Sequence, residues 1–156
     1  MATQYTAGLT TGQVLTAATM NSIGAAWETW TPSVTGITLG NGTIEARYSQ
    51  INKIVSFSFV FTLGSTSAIT GEVIVPLPVN RRTTTQVGEG TVLLRDAGTA
   101  NYVGFAFYPG GNNTQVLIRY LSVGGSVVAP TPLSSTTPFT WGNTDQILLS
   151  GTYEAA

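Results

Sequence analysis

IVSFSFVFTL, residues 54–63, puts Val55, Phe57, Phe59, Phe61 and Leu63 on one parity and Ile54, Ser56, Ser58, Val60 and Thr62 on the other. Successive side chains of a β-strand point to opposite faces, so three Phe, a Val and a Leu land together on one side. A helix would scatter the same residues around its girth. The stretch predicts a strand with one face in a packed core. The Ser/Val face is left for solvent or for a neighbouring subunit.

The chain around this strand has 156 residues, enough for one domain with a modest extension and a real core. Charged residues make up 8% of it, about a third of the ~25% usual in soluble domains. Thr, Ser, Gly and Asn fill the shortfall, which gives a polar surface that is hardly ionised. The net charge is −1, with no basic stripe of the kind that duplex DNA or an anionic membrane would need. Near-neutrality favours association and hints at an obligate oligomer. The chain has no Cys and no His, which removes disulfides, thiolate metal sites and the commonest general base and metal ligand. No apolar run reaches membrane-spanning length, and no secretory leader opens the chain. A cytosolic origin is expected.

Upstream, residues 1–31 read differently from the rest. Met20, Ile23, Trp27 and Trp30 recur at helical spacing within an Ala-rich run, with Thr16 as a plausible N-cap and Pro32 as the stop. A short amphipathic helix is predicted, docked on its own domain, on a partner chain or on copies of itself. From Ser33 onward the period is two. Strands are expected at Val34–Leu39, Thr43–Gln50, Ile54–Leu63, Glu72–Leu77, Val87–Arg95, Tyr102–Tyr108, Thr114–Val123 and Gln146–Glu154. Gly40-Asn41-Gly42, Asn52-Lys53 and Pro109–Asn113 supply turns. Gly88 and Gly90 suggest a bulge or the close approach of another backbone, Pro76 an edge or a strand terminus, and Gly64–Thr70 and the Pro-rich stretch Gly124–Pro138 loops. About eight strands with regular turns predict an antiparallel β-sandwich, jelly-roll-like, over residues 32–156.

The chemistry-bearing residues are sparse. Glu72, Glu89, Asp96 and Asp145 form no recognisable acid/base pair, and Ser and Thr lack a His to activate them. No catalytic residue, metal site or cofactor is expected. The pair Arg81-Arg82 reads as a solvated loop. Tyr102, Tyr108, Tyr120 and Trp141 are candidates for stacking on sugar rings or for packing in the core or between subunits, with loop Asn and Thr as hydroxyl partners.

The two ends carry a resemblance. Gly12-Gln13-Val14-Leu15-Thr16-Ala17-Ala18-Thr19-Met20-Asn21 resembles the opening of tailed-bacteriophage fibre and minor tail proteins. Trp30-Thr31-Pro32, Leu39-Gly40-Asn41-Gly42-Thr43, Ala46-Arg47-Tyr48 and Ile51-Asn52-Lys53-Ile54-Val55 follow in order. Pro138-Phe139-Thr140-Trp141, Asp145 and Ser150-Gly151-Thr152-Tyr153-Glu154 close the set, and the whole is similar to a β-rich domain of phage tail-fibre and receptor-binding proteins. Residues 79–138 match no motif of that domain.

The resemblance implies a virion protein, made in the host bacterial cytoplasm, with a homotrimeric knob and no enzymatic activity. Residues 1–31 would anchor it to other virion proteins or to its own copies through Leu15, Met20, Ile23, Trp27 and Trp30. Residues 32–156 would form the knob. Host contact, with a cell-surface glycan or protein, would fall to Tyr102, Tyr108, Asn112 and Asn113. A capsid decoration protein without a receptor and a carbohydrate-binding module are the other readings. Neither nucleic acid nor membrane insertion is expected.

Overall fold

A computed structural model of the chain describes residues 11–12, 14, 16–17, 26–83, 88–109, 111–124 and 126–156. Its elements among these are ten strands. They are β1 (Glu28–Thr29), β2 (Thr35–Thr38), β3 (Thr43–Ile51), β4 (Ile54–Thr62), β5 (Ala68–Pro76), β6 (Gly88–Asp96), β7 (Ala100–Phe107), β8 (Gln115–Gly124), β9 (Val127–Pro132) and β10 (Gln146–Glu154). All pair antiparallel in one sheet of order β1-β3-β4-β10-β6-β7-β8-β5-β2, with β9 added beside β8.

That order forces the sheet to roll. Strands β2 and β3 lie seven positions apart along the sheet, which in a flat sheet would be about 34 Å. The chain between them is only Leu39–Gly42, a reach of about 18 Å at full extension. The two ends of the sheet are therefore drawn together, and the faces that turn inward bury each other.

Strand β4 is paired along its whole length on both sides, with β3 on one and with β10 on the other. Val55, Phe57, Phe59 and Phe61 are all buried, as their shared parity requires. Ile147, Leu149 and Tyr153 of β10, Val92 and Leu94 of β6, Val116 and Ile118 of β8, and Ile69, Val73 and Val75 of β5 complete one apolar cluster. The last strand of the chain thus sits between the fourth and the sixth.

Several expectations need correction. Val127–Pro132 is a strand, not part of a loop. Pro130 and Pro132 are tolerated because alternate residues present their backbone nitrogens to the same side, and among the described residues β9 has a partner strand only in β8. Strand β5 starts at Ala68, inside the segment read as a Ser/Thr loop, and its ladder with β8 ends at Pro76. A register shift between Gly88 and Gly90 is the expected bulge. Arg81 is buried rather than solvated, and its guanidinium carbon lies 4.7 Å from the Tyr108 ring centroid. Arg82 is the exposed member, 3.1 Å from Glu154.

The predicted helix falls largely on residues outside those described, Leu15, Met20 and Ile23 among them. Its last turn is replaced by a strand. Glu28 pairs with Tyr48 and Thr29 with Arg47, so Trp27 and Trp30 flank β1 and do not share a helical stripe.

Candidate functional site

Several of the motifs quoted from the sequence turn out to be joints of the roll. Leu39-Gly40-Asn41-Gly42 joins β2 to β3 and locks against the Gly64–Ser67 turn that joins β4 to β5. Asn41 Oδ1 accepts from the Thr66 amide and hydroxyl, each at 2.9 Å, while Asn41 Nδ2 donates to Ser65 Oγ at 3.1 Å. The Asn41 amide donates to Thr66 Oγ1 at 2.9 Å, and the Ser67 hydroxyl donates to the Leu39 carbonyl. Gly40 has φ +55°, and a Cβ on it would lie 2.4 Å from the Thr66 carbonyl oxygen. A Cβ on Gly64 would lie 2.3 Å from Asn41 Oδ1. Both positions need the missing side chain.

Trp141 donates its indole N–H to the carbonyls of Ser134 and Thr137, at 3.0 and 3.3 Å. Its ring lies 4.3 Å from Phe139, which stacks on Tyr102 at 5.2 Å. Asp145 is buried with both oxygens used: Oδ1 accepts from Ala97 N and Oδ2 from Gly142 N, at 2.9 and 2.6 Å. Tyr153 packs edge-on against Phe57 and donates to the Val79 carbonyl at 2.7 Å.

These placements redistribute the sequence candidates. Tyr108 is 0% exposed, so its side chain cannot meet a receptor at the surface. Tyr102 is half-buried in the aromatic stack. Asn112 Oδ1 accepts from the Thr114 amide and hydroxyl, and the Asn113 carbonyl accepts from Arg81 N, so both shape the turn before β8. Trp30 lies edge-on to Tyr48 and Phe57 at 6.4 and 6.3 Å, packing on its own sheet. Trp27 alone of the two remains half exposed, at 49%.

Among the described residues, the outer face of β4, β10, β6 and β7 is left partly exposed. Register aligns its residues in rows. One row runs Val60, Leu148, Leu93, Val103, an unbroken apolar line across four strands. The next runs Ser58, Ser150, Thr91, Phe105. Ser56 and Thr152 begin a third, with hydroxyls 3.1 Å apart, and Thr91 and Ser150 pair at 3.2 Å.

The apolar row floors a groove of about 390 Å³. An adjoining, more open trough of about 610 Å³ has Trp27 and Phe105 at its walls and Ser56, Thr91, Ser150 and Thr152 in its floor. The face carries no charge over these ten side chains. Glu45 and Arg47 border it on β3, and Arg95, donating to Gln146 Oε1 at 3.1 Å, borders it on β6. With hydroxyls paired only to hydroxyls, the face has the chemistry of contact rather than of proton transfer. Among the described residues no group of three His, Cys, Asp or Glu is gathered to hold a metal.

A second apolar feature is the β8–β9 hairpin, where Val123, Val127 and Val128 are 77%, 64% and 55% exposed. Sequence reasoning left the Ser/Val face of β4 for solvent or for a neighbouring subunit, but did not extend it across β10, β6 and β7, and it did not identify the hairpin. The signal was present for the first: Ser56, Ser58 and Val60 alternate with the Phe parity, and Leu148, Ser150 and Thr152 repeat the pattern in β10.

Set against known proteins, the chain matches no family model, no curated protein and no solved structure.

Proposed function

We propose that the chain is a structural protein of a bacteriophage particle, a trimeric fibre, spike or knob that presents its β-domain for host attachment. In this reading the rolled sheet is a jelly-roll-like sandwich. The N-terminal segment, carrying Leu15, Met20 and Ile23, joins the chain to the virion. The anchor ends before Trp27, because Glu28, Thr29 and Trp30 belong to the sheet. The domain binds and assembles; it catalyses nothing.

The observation that carries the reading is where the ordered motifs meet. Leu39–Thr43, Pro138–Trp141, Asp145 and Ser150–Glu154 are the turn lock, the aromatic stack, the buried carboxylate and the central strand. A resemblance carried by such elements is a resemblance in how the domain is built. An uncharged sheet face suits a protein whose work is contact.

Two versions of the chain test this, the full length and one lacking residues 1–26. Each is produced with a tag in cells from which the phage is then purified. The full chain should travel with the particles, and the shortened chain should stay folded in the supernatant. Shortened chain on the particles would refute the anchor. Purified full-length chain should also slow adsorption of the phage to host cells. Particle association without competition for adsorption would make the chain a decoration protein instead.

A further inference from the structure

We infer that the outer face of β4, β10, β6 and β7 is where copies of this chain meet. The inference rests on the oligomeric reading above and names the surface that would make it. Three observations select a second copy as the occupant.

The first is size. Five strands from β3 to β7, each about nine residues long, span a face of roughly 700 Å², close to the ~800 Å² per partner of a standard interface. The second is chemistry. The centre is Val60, Leu148, Leu93 and Val103 flanked by Ser58, Ser150 and Thr91, with Glu45, Arg47 and Arg95 confined to the border. An apolar centre with a polar, partly charged rim is the anatomy of a subunit contact. The rim holds both signs, so one copy can meet another without like-charge opposition.

The third is position. Trp27, where the chain enters β1, lines the trough on this same face beside Ser56 and Thr152. Copies joined through the face would bring their N-terminal segments out side by side, as a shared anchor requires. The exposed Val103 and Phe105, at 58% and 40%, are then not idle apolar surface but contact residues.

The chain has no cysteine, so one engineered thiol reports one position. Ser150→Cys places it on the face, in the row next to the apolar line, and Val127→Cys on the β8–β9 hairpin. Light scattering with size exclusion should give a multiple of 16.3 kDa for the wild type. In that assembly maleimide should label Ser150→Cys at least tenfold more slowly than Val127→Cys. The outward substitutions Leu93→Arg and Val103→Glu together should drop the mass to that of the single chain, with the circular dichroism of the wild type retained.

An assembled wild type in which Ser150→Cys labels as fast as Val127→Cys overturns the interface and leaves the oligomeric reading standing. A wild type that is a monomer at all concentrations overturns both. Protection of Ser150→Cys that persists in the monomer and vanishes on deletion of residues 1–26 gives the face to the chain's own N-terminal segment, and overturns the proposal. If the double variant does not fold, the labelling ratio in the wild-type background decides.

Discussion

Tyr153 ties together three parts of the chain with one side chain. Its ring meets Phe57 of β4 at 5.7 Å and Tyr108 at 6.4 Å, and its hydroxyl donates to Val79 O at 2.7 Å while accepting from Val79 N at 3.3 Å. Burial holds this phenol well above its ordinary range; Tyr108 and Tyr48 add to the rise and the Val79 hydrogen bond works against it. A raised folded value means that folding favours the neutral form. The stabilisation is therefore complete below the unfolded pKa of about 10 and is lost as pH climbs beyond it. Urea titrations from neutral pH into the alkaline range should show level stability up to about pH 9 and a fall above it. Tyr153→Phe should be less stable at neutral pH by about 1–2 kcal/mol, since the part-buried Val79 carbonyl loses its donor. Its alkaline fall should be shallower than that of the wild type. Parallel alkaline limbs in the two proteins would show that Tyr153 does not govern the loss.

At the scale of elements, the lock between the Leu39–Gly42 and Gly64–Ser67 turns is what holds opposite ends of the sheet order together. Asn41 is its key, because one side chain serves Ser65, the Thr66 amide and the Thr66 hydroxyl. Asn41→Ala should cost about 0.5–1.5 kcal/mol by removing the bond it donates to Ser65 Oγ and the two it accepts from Thr66. Gly64→Ala, which forces a methyl against Asn41, should cost ~1–3 kcal/mol. Because both variants damage the same contact, the double mutant should fall short of the sum, and thermal melts of the four proteins would measure the coupling. Strict additivity would mean that the turns do not act as a unit.

Strands whose two faces differ sharply were legible: β4, with Phe against Ser, and β10, with Ile147, Leu149 and Tyr153 against Ser150 and Thr152. Glu28–Thr29 and Val127–Pro132 were not, because each becomes a strand only by lying beside an established one. Local composition, helix-like before Trp27 and Pro-rich around Pro130, was overridden by pairing. The outer face was half legible. Its residues could be read by parity, but its extent depends on β10 inserting between β4 and β6, a pairing with no local trace.

For the molecule as a whole, charge contributes little and apolar contact nearly everything. The two ion pairs described are Arg82–Glu154, with side chains 63% and 50% exposed, and the partly buried Arg119–Glu72. An exposed pair of the first kind is worth about 0–1 kcal/mol and less in salt. The apolar cluster of β4, β5, β6, β8 and β10 and the face proposed to join copies contain no charge to screen, and the charged side chains that are buried, Arg81 and Asp145, are reached little by salt. Raising sodium chloride to about 1 M, where the Debye length is only about 3 Å, should therefore move the melting temperature by no more than ~2 °C. Assembly mass should stay constant over the same range. Sodium sulfate should raise the melting temperature, because its exclusion from protein surface strengthens apolar burial. Dissociation in sodium chloride alone would locate the contact between copies at Glu45, Arg47 and Arg95 on the rim, with the Val60–Leu148–Leu93–Val103 row as a bystander. Insensitivity to chloride, together with strengthening in sulfate, is the signature that the row itself makes the contact.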